Sequence, residues 1–482
     1  MILIAVLVLP LIAAVLCWIP AVGRRAGAPV TAVTNLVLLA LSLRVAWRVV
    51  VWGKIVAIPD WIEVDALGAL ILLLVTTVGV MASVYSLGYM TRTTHDKSLL
   101  FRYYGNLNLF IFSMLAVPVF VGPAVAWLAV EFTTLLSVLL VAFESNREAL
   151  EAAWKYAMLT LMGAAIALFG FLVLFWAMRQ AGGNSYTWSG LEGVAPHISP
   201  VLLKAAYLAI LVGFGAKVGL VPLHTWLPDA HSQAPTPVCA LLSGVETTAV
   251  LYVILRLMPI AHASLGNGAE RWAIIFGLLS VGVAAFLLTQ VHDYKRLFAY
   301  STVEHMGIIL TAAGLGGAAA HYGAMYQILA HALTKSLCFF AAGVVLMVTG
   351  TREIASVRSL MRTSPIAGVT MLFGGLAIAG APPFAVFLGE FSILKAGFSQ
   401  SHYVAVALLA IFLVVAFFGI LSHVNGMVLG QSEGKTAAVV PKIPFTCSVT
   451  LIAAAIPVIV LGLYVPDFLH QLLVRAAAVI GG

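Results

Sequence analysis

Nine charged or imidazole side chains lie inside stretches otherwise apolar enough to be membrane spans: Glu131, Lys217, Glu246, Glu304, His305, His331, Lys335, Glu390 and Lys395. A charge at the centre of an inserted helix costs on the order of 3 kcal/mol, so each needs a partner, a bundle interior or water. Acids, amines and imidazoles together are the set that moves protons. His331 and Lys335 are four residues apart, so on a helix they share a face one turn from each other, and a single water could join them. Glu304 and His305 are adjacent and diverge by about 100 degrees, so only one is expected on that seam. His305 is the better choice, because a neutral imidazole both donates and accepts. Burial and a nearby carboxylate act on a lysine in opposite senses, which makes Lys217 switchable if Glu131 is its partner. A static Lys217–Glu131 ion pair is the structural alternative. Lys395, near a helix end, is expected to snorkel towards the surface.

The stretch GFGAKVGLVPLHTWLPDAH, residues 213 to 231, puts a proline five residues after Lys217. Pro222 has no N–H and crowds the carbonyl of Val218, so the helix is expected to break there and free that carbonyl. At membrane depth a freed carbonyl is tolerated only against protein or a wet cavity. Ala381-Pro382-Pro383, shortly before Glu390, repeats the arrangement. Two interrupted helices in corresponding halves point to a transporter built from inverted repeats, with its ion path at the repeat interface. Leu223 to Leu227, with His224 among them, is apolar enough to stay at membrane depth. Trp226, Pro228 and Asp229 then fall near the inner interface. Asp229, His224, Glu304 and Lys395 are the secondary candidates for the path.

Such residues need a bundle to hold them, and the composition supplies one. Of 482 residues, 62% are hydrophobic and 9% charged, against roughly a quarter charged in a soluble domain. Apolar runs of about 20 residues, the length that crosses a bilayer, recur from end to end. Residues 1–482 read as a single integral membrane domain, all-α and polytopic, with about fourteen spans near 2–20, 29–51, 66–90, 103–121, 123–143, 155–178, 200–222, 236–258, 270–291, 297–316, 321–349, 365–398, 403–429 and 444–468. The first is expected to be a retained helix and not a cleaved signal, since it lacks a basic n-region. With the N-terminus outside, the inner loops hold fourteen Lys and Arg residues, from Arg24 and Arg25 to Lys435 and Lys442, and the outer side eight, including Arg256. Of the twenty-five in the chain, that leaves three, Lys217, Lys335 and Lys395, which fall within spans. The positive-inside rule then places both termini outside.

The net charge of +7 is spread over loops and forms no patch, so nucleic acid is not an expected partner. Cys17, Cys239, Cys338 and Cys447 are far apart with no CxxC pair, so no disulfide framework, zinc site or iron–sulfur site is indicated. With no nucleotide-binding glycine motif or P-loop either, the chain is expected to carry no cofactor of its own.

KVGLVPLHTWLPDAHSQAPTPVCALLSGV (217–245), HDYKRLFAYSTVEHMG (292–307), HALTKS (331–336) and FLGEF (387–391) resemble the antiporter-like membrane subunits shared by respiratory complex I, Mrp-type cation/proton antiporters and membrane-bound group 4 nickel–iron hydrogenases. The STVEHMG variant is most similar to the F component of the hydrogenase 4 and formate hydrogenlyase type. The resemblance runs over roughly residues 60 to 430. It implies fourteen helices, with helices 1–3 in 1–102, one five-helix repeat (helices 4–8) in 103–258, an inverted second (helices 9–13) in 270–429, and helix 14 with the C-terminus in 444–482. Helices 7 and 12 would be broken, at Pro222 and at Pro382-Pro383. By motif match Glu131, Lys217, His305, His331, Lys335 and Glu390 take the family's axial positions. The eighth-helix lysine or histidine of many relatives falls at Thr248, with Glu246 two residues earlier, so a Glu246 relay or water would have to replace that base. The long lateral C-terminal helix of the largest relatives is expected to be lacking.

The resemblance implies a proton-translocating subunit of a redox-driven complex in the cell (inner or plasma) membrane. Its partners would be other membrane subunits and a peripheral hydrogenase or dehydrogenase arm. Protons, or sodium, would move along Glu131, Lys217, Glu246, His305, His331, Lys335 and Glu390. The alternative is a self-contained Mrp-type sodium/proton antiporter. A haem or quinone enzyme using His305 or His331 is a third reading, and lone histidines on apolar helices argue against it.

Overall fold

A chain with so little polar surface must satisfy its backbone internally, which in an apolar setting leaves helices or closed barrels. The computed structural model, which describes residues 1–94, 96–431 and 441–481, is helical almost throughout. Lys435 lies outside the described residues.

In chain order the helices are α1 (Ile2–Trp18), α2 (Pro20–Trp52), α3 (Ala66–Thr93), α4 (Leu100–Val119), α5 (Pro123–Val141), α6 (Arg147–Gln180) and the short α7 (Trp188–Val194). Then come α8 (Pro200–Val218), α9 (Trp226–Gln233), α10 (Thr236–Leu241) and α11 (Thr247–Leu265), the last two joined by a π turn, Leu242–Glu246. The remainder is α12 (Gly268–Leu288), α13 (Tyr294–Leu315), α14 (Gly317–Thr349), α15 (Leu360–Thr363), α16 (Pro365–Ile378), α17 (Ala385–Ser399), α18 (Tyr403–Val428), α19 (Phe445–Leu463) and α20 (Asp467–Gly481). Proline starts α2, α5, α8 and α16, where its missing N–H is lost to no intrahelical bond. Among the described residues, ten helices are long and apolar enough to cross a membrane. Arg24 and Arg25, expected in a loop, lie inside α2, and the expected span 365–398 is two helices, α16 and α17.

The centre consists of α10 with α11, α13 and the middle of α14, which are buried on nearly every face. Around them α2, α6, α18 and α19 turn large apolar side chains such as Phe169, Phe418 and Ile452 outward, as a lipid-facing belt does. The C-terminal α20, which the sequence did not announce, is amphipathic. It packs Leu472, Leu473, Ala476 and Ile480 inward against α14, α3, α11 and α2.

A short antiparallel hairpin, β1 (Ile55–Ile58) and β2 (Ile62–Val64), was also unanticipated, although Ile-Val-Ala-Ile before Pro59-Asp60 carries the β-branched run and turn residues of one. Just beyond it, Asp65 caps α3 by accepting from the Gly68 N–H at 3.0 Å. Arg256, expected among the loop cations, is instead buried in α11 and pairs with Asp65 at 2.5 Å. Burial pushes the Asp65 carboxyl up, and the Arg256 guanidinium outweighs it, holding the group below the ordinary carboxylate range. A depressed folded value means that the pair's contribution is present above the unfolded pKa of about 3.9 and lost as pH falls through the folded one. Asp65→Asn keeps a capping oxygen but not the charge. It is expected to lower unfolding stability in detergent by about 2 kcal/mol, below the range for a fully buried pair because the Asp65 side chain is 25% exposed. Thermal melts from pH 3 to 7 should show the gap between wild type and variant open above pH 4 and close below it.

Candidate functional site

The first helix break is made by glycine and not by proline. Gly219 adopts φ +89°, and the N–H groups of Gly219 and Leu220 both donate to the Gly215 carbonyl, at 3.0 and 2.8 Å, which is a left-handed helix stop. Pro222, expected to break the helix and free the Val218 carbonyl, lies beyond that stop, in the turn leading to α9. The carbonyl found recaptured is that of Ala216, which accepts from Trp226 Nε1 at 2.8 Å, and the Val221 N–H donates to Ser280 Oγ at 3.0 Å. The Trp226 ring also stacks on Tyr156 at 4.3 Å between centroids. The far arm of the break therefore fixes a side chain of the site.

Lys217, in the last turn of α8, is 2% exposed. Its ammonium has three protons and finds three oxygens: Glu246 Oε1 at 2.9 Å, Thr134 Oγ1 at 2.6 Å and Tyr156 OH at 3.3 Å. Glu246 Oε1 also accepts from Tyr156 OH at 3.1 Å and Ser137 Oγ at 3.3 Å. The direct partner of Lys217 is thus Glu246, presented by the π turn, and not Glu131 as expected. Glu131 sits on α5 one turn before Thr134, within electrostatic reach of Lys217, and its Oε1 has no hydrogen-bond partner among the described residues.

The second group lies between α13, α14 and the break from α16 to α17. His305 and His331 face each other with ring centroids 5.2 Å apart. His331 Nε2 donates to the Ser243 carbonyl at 3.0 Å and His305 Nε2 to the Ile378 carbonyl at 3.1 Å. A carbonyl only accepts, so in the neutral form both rings carry Nε2–H and keep their Nδ1 lone pairs. His305 Nδ1 accepts from Gln327 Nε2 at 3.0 Å, whereas His331 Nδ1 is buried without a protein partner among the described residues. Ile378 is the last residue of α16, so an imidazole closes the second break as an indole closes the first.

Lys335 is held by neutral oxygens, the Phe298 carbonyl at 2.5 Å and the Ser301 hydroxyl. Glu304 was expected to point away once His305 pointed in. It too is interior, because α13 is buried on every face over residues 301–315, and it lies within electrostatic reach of Lys335 and Glu390. Glu390, on α17, packs its carboxylate against Gly380 of the second break, where Pro382 and Pro383 also lie. At the far end of α17 a cavity of about 710 Å³ is lined by His262, Glu270, His321, Gln400 and His402.

The secondary candidates divide differently. Lys395 is exposed on α17 and joins neither group. Asp229 sits at the α6–α9–α13 edge, paired with Lys155 at 3.2 Å and Arg296 at 2.7 Å. His224 is buried in the first break, and its Nδ1 has no partner among the described residues. Thr134, Ser137, Tyr156, Ser301 and Gln327 belong to the site and were missed. The available signal was a hydroxyl or amide three or four residues from an axial charge, as in Thr134 after Glu131 and Gln327 before His331.

This arrangement can hold, pass and re-orient protons: carboxylates, amines, imidazoles and hydroxyls within hydrogen-bond reach, inside a shell of buried apolar residues. Known proteins share its sequence pattern and its fold. Residues 124–419 match the family model described as NADH:quinone oxidoreductase/Mrp antiporter, TM, and residues 56–100 match the complex I chain 5 N-terminus. The chain is 35% identical over 426 residues to a hydrogenase-4 component F homolog of Methylacidiphilum infernorum, covering 86% of this chain and 84% of that one. It is 31% identical over 356 residues to the A-type component of the Na(+)/H(+) antiporter of Alkalihalophilus pseudofirmus, matching 70% of this chain but only 43% of that longer protein. Among solved structures, a chain of the archaeal membrane-bound sulfane sulfur reductase superposes with TM-score 0.90 at 23% identity, with 99% of this chain and 98% of that one covered. The Mrp complex of Dietzia sp. gives 0.86 at 18%, covering 99% and 97%. The protein therefore belongs to the antiporter-like membrane subunit family that complex I, Mrp antiporters and hydrogenase-4-type complexes share.

Proposed function

We propose that this chain is the proton-translocating subunit of a redox-driven membrane complex, of hydrogenase or complex I-like type. The observation that carries the reading is the buried Lys217–Glu246 pair beside a broken helix, followed by His331, His305, Lys335 and Glu390 around a second break. The near full-length match to a hydrogenase-4 component F homolog supports the hydrogenase branch. Ten long apolar helices, with α1, α4, α13 and the broken α16–α17 pair, make the fourteen spans of the proposed topology. Two inverted repeats, helices 4–8 and 9–13, would each contribute one break. Both termini would lie on the outer face of the plasma membrane. Protons would enter along Glu131, Lys217 and Glu246 and leave past Lys335 and Glu390 towards the large cavity beside α17. Electrons would be handled by a peripheral arm. Each charge moved against 100 mV requires about 2.3 kcal/mol, which that partner reaction must provide.

The second reading, a sodium/proton antiporter component of Mrp type, is favoured by the match to the Alkalihalophilus antiporter protein and by three buried carboxylates, Glu246, Glu304 and Glu390, with the half-buried Glu131. Purification of the native complex and reconstitution into vesicles separates the two. Redox subunits are expected to co-purify, and adding their substrate should build a pH gradient that a protonophore collapses. Co-purification with small membrane subunits alone, and exchange of sodium for protons without any redox substrate, would overturn the leading reading.

A further inference from the structure

The two polar groups come together at the π turn, and the side-chain contact that joins them there is between two hydroxyls. Thr248, where many relatives are expected to place a base, turns its hydroxyl back onto the Gly244 carbonyl at 3.2 Å. The contact between the halves falls instead at the π turn. Its Glu246 bonds Lys217, Tyr156 and Ser137 on one side. On the other side its Ser243 hydroxyl lies 2.6 Å from Thr302 Oγ1 of α13, and its Ser243 carbonyl receives His331 Nε2–H. Ser243 and Thr302 are both fully buried. Thr302 also reaches the Phe298 carbonyl at 3.2 Å, the same oxygen that accepts from Lys335. π turns inside α-helices recur at functional sites, because the extra residue re-aims side chains that a regular helix would stack.

We propose that Ser243 and Thr302 form a hydroxyl bridge that carries protons between the two halves of the path, held in register by the π turn, in place of a base at position 248. This rests on the proton-translocating reading above. Three observations converge on it. The hydroxyl–hydroxyl contact is short and can run in either direction, since each oxygen is able to donate. Its Ser243 end belongs to the same π turn as Glu246, and its Thr302 end shares the Phe298 carbonyl with Lys335. His331 Nδ1, the lone pair left after Nε2–H is committed to the same π turn, is buried and meets no protein donor among the described residues.

The step balances with water as its only co-reactant. A proton leaves the Glu246 side through water and bonds to the Ser243 oxygen, while the Ser243 O–H breaks and its proton bonds to the Thr302 oxygen. The former Thr302 hydroxyl proton passes through water to the Lys335 amine or to His331 Nδ1. One positive charge has crossed, both hydroxyls are neutral again, and rotation about their C–O bonds resets them.

The test uses the native complex in vesicles, measuring protons moved per redox turnover together with thermal stability. Thr302→Val, near-isosteric but without the hydroxyl, and Ser243→Ala are each expected to lower that ratio at least tenfold. Thr302→Ser, which keeps the hydroxyl and loses a methyl, is expected to retain it. A packing role would make the serine variant the less stable one and leave the ratio untouched in the valine variant. If Thr302→Val does not assemble, Ser243→Ala alone decides. A wild-type ratio without the hydroxyls, in vesicles where the Lys217→Met/Glu246→Leu double variant pumps nothing, overturns the bridge and leaves the proton-translocating reading standing. Full pumping by that double variant as well removes the reading itself.

Discussion

The double variant Lys217→Met/Glu246→Leu is expected to assemble at close to wild-type stability and to move no protons, whereas Glu246→Leu alone is expected to lose about 3–5 kcal/mol of stability. Both side chains are 2% exposed and 2.9 Å apart. Removing one leaves a buried charge without its counter-charge, while replacing both with apolar groups of similar volume is often neutral. Thr134 and Tyr156 would still hold the ammonium in the single variant, which places the loss nearer the lower figure. Transport has no such compensation, because methionine and leucine carry no exchangeable proton. Detergent melts and vesicle acidification read the two effects separately. Equal destabilisation of single and double variants would mean that the pair is not one ionic unit, and a double variant that pumps would remove Lys217 from the path.

Gly380→Ala is expected to cut proton movement by about tenfold or more, while Gly350→Ala leaves it unchanged. Both residues have left-handed backbones, with φ of +76° and +70°, so alanine costs each roughly 1–2 kcal/mol of strain. They differ in what the new methyl meets. At Gly380 it would stand 2.2 Å from Glu390 Oε2, and at Gly350 nothing lies within 4 Å. The buried Glu390 carboxylate must therefore swing away in the first variant, and a misplacement of about 1 Å is enough to disable proton transfer that depends on fixed geometry. Similar melting temperatures with different pumping would separate the position of Glu390 from general damage. Equal pumping by both variants would show that the carboxylate can move freely without consequence.

The helical membrane class, the two interruptions and the presence of buried ionisable residues were legible because each leaves a local mark: apolar runs of spanning length, proline near a charge, and ionisable groups where none should be. Pairing was not legible. Assigning Lys217 to Glu131 assumed regular helices, and the π turn at Leu242–Glu246, which has no Pro and only Gly244 to announce it, brought Glu246 to the lysine instead. Divergence of Glu304 from His305 would exclude one of them on a helix with a single polar face. Because α13 is enclosed on all sides over residues 301–315, every direction from that stretch is interior, and both residues are buried. The break at Gly219 was credited to Pro222 because proline is the more conspicuous breaker, although the left-handed glycine ends the helix first. Arg256 looked like a loop cation because its counter-ion, Asp65, lies far away in sequence.

The two closures of the broken helices are chemically unlike. An indole N–H seals the first, and indole neither gains nor gives up a proton in water, so that joint stays latched whatever the protonation of the groups around it. An imidazole seals the second, and its hold on the Ile378 carbonyl tightens or slackens with the occupancy of its own ring. On the proton-translocating reading proposed above, one joint would be a fixed pivot and the other would follow the load, giving the molecule a built-in front and back.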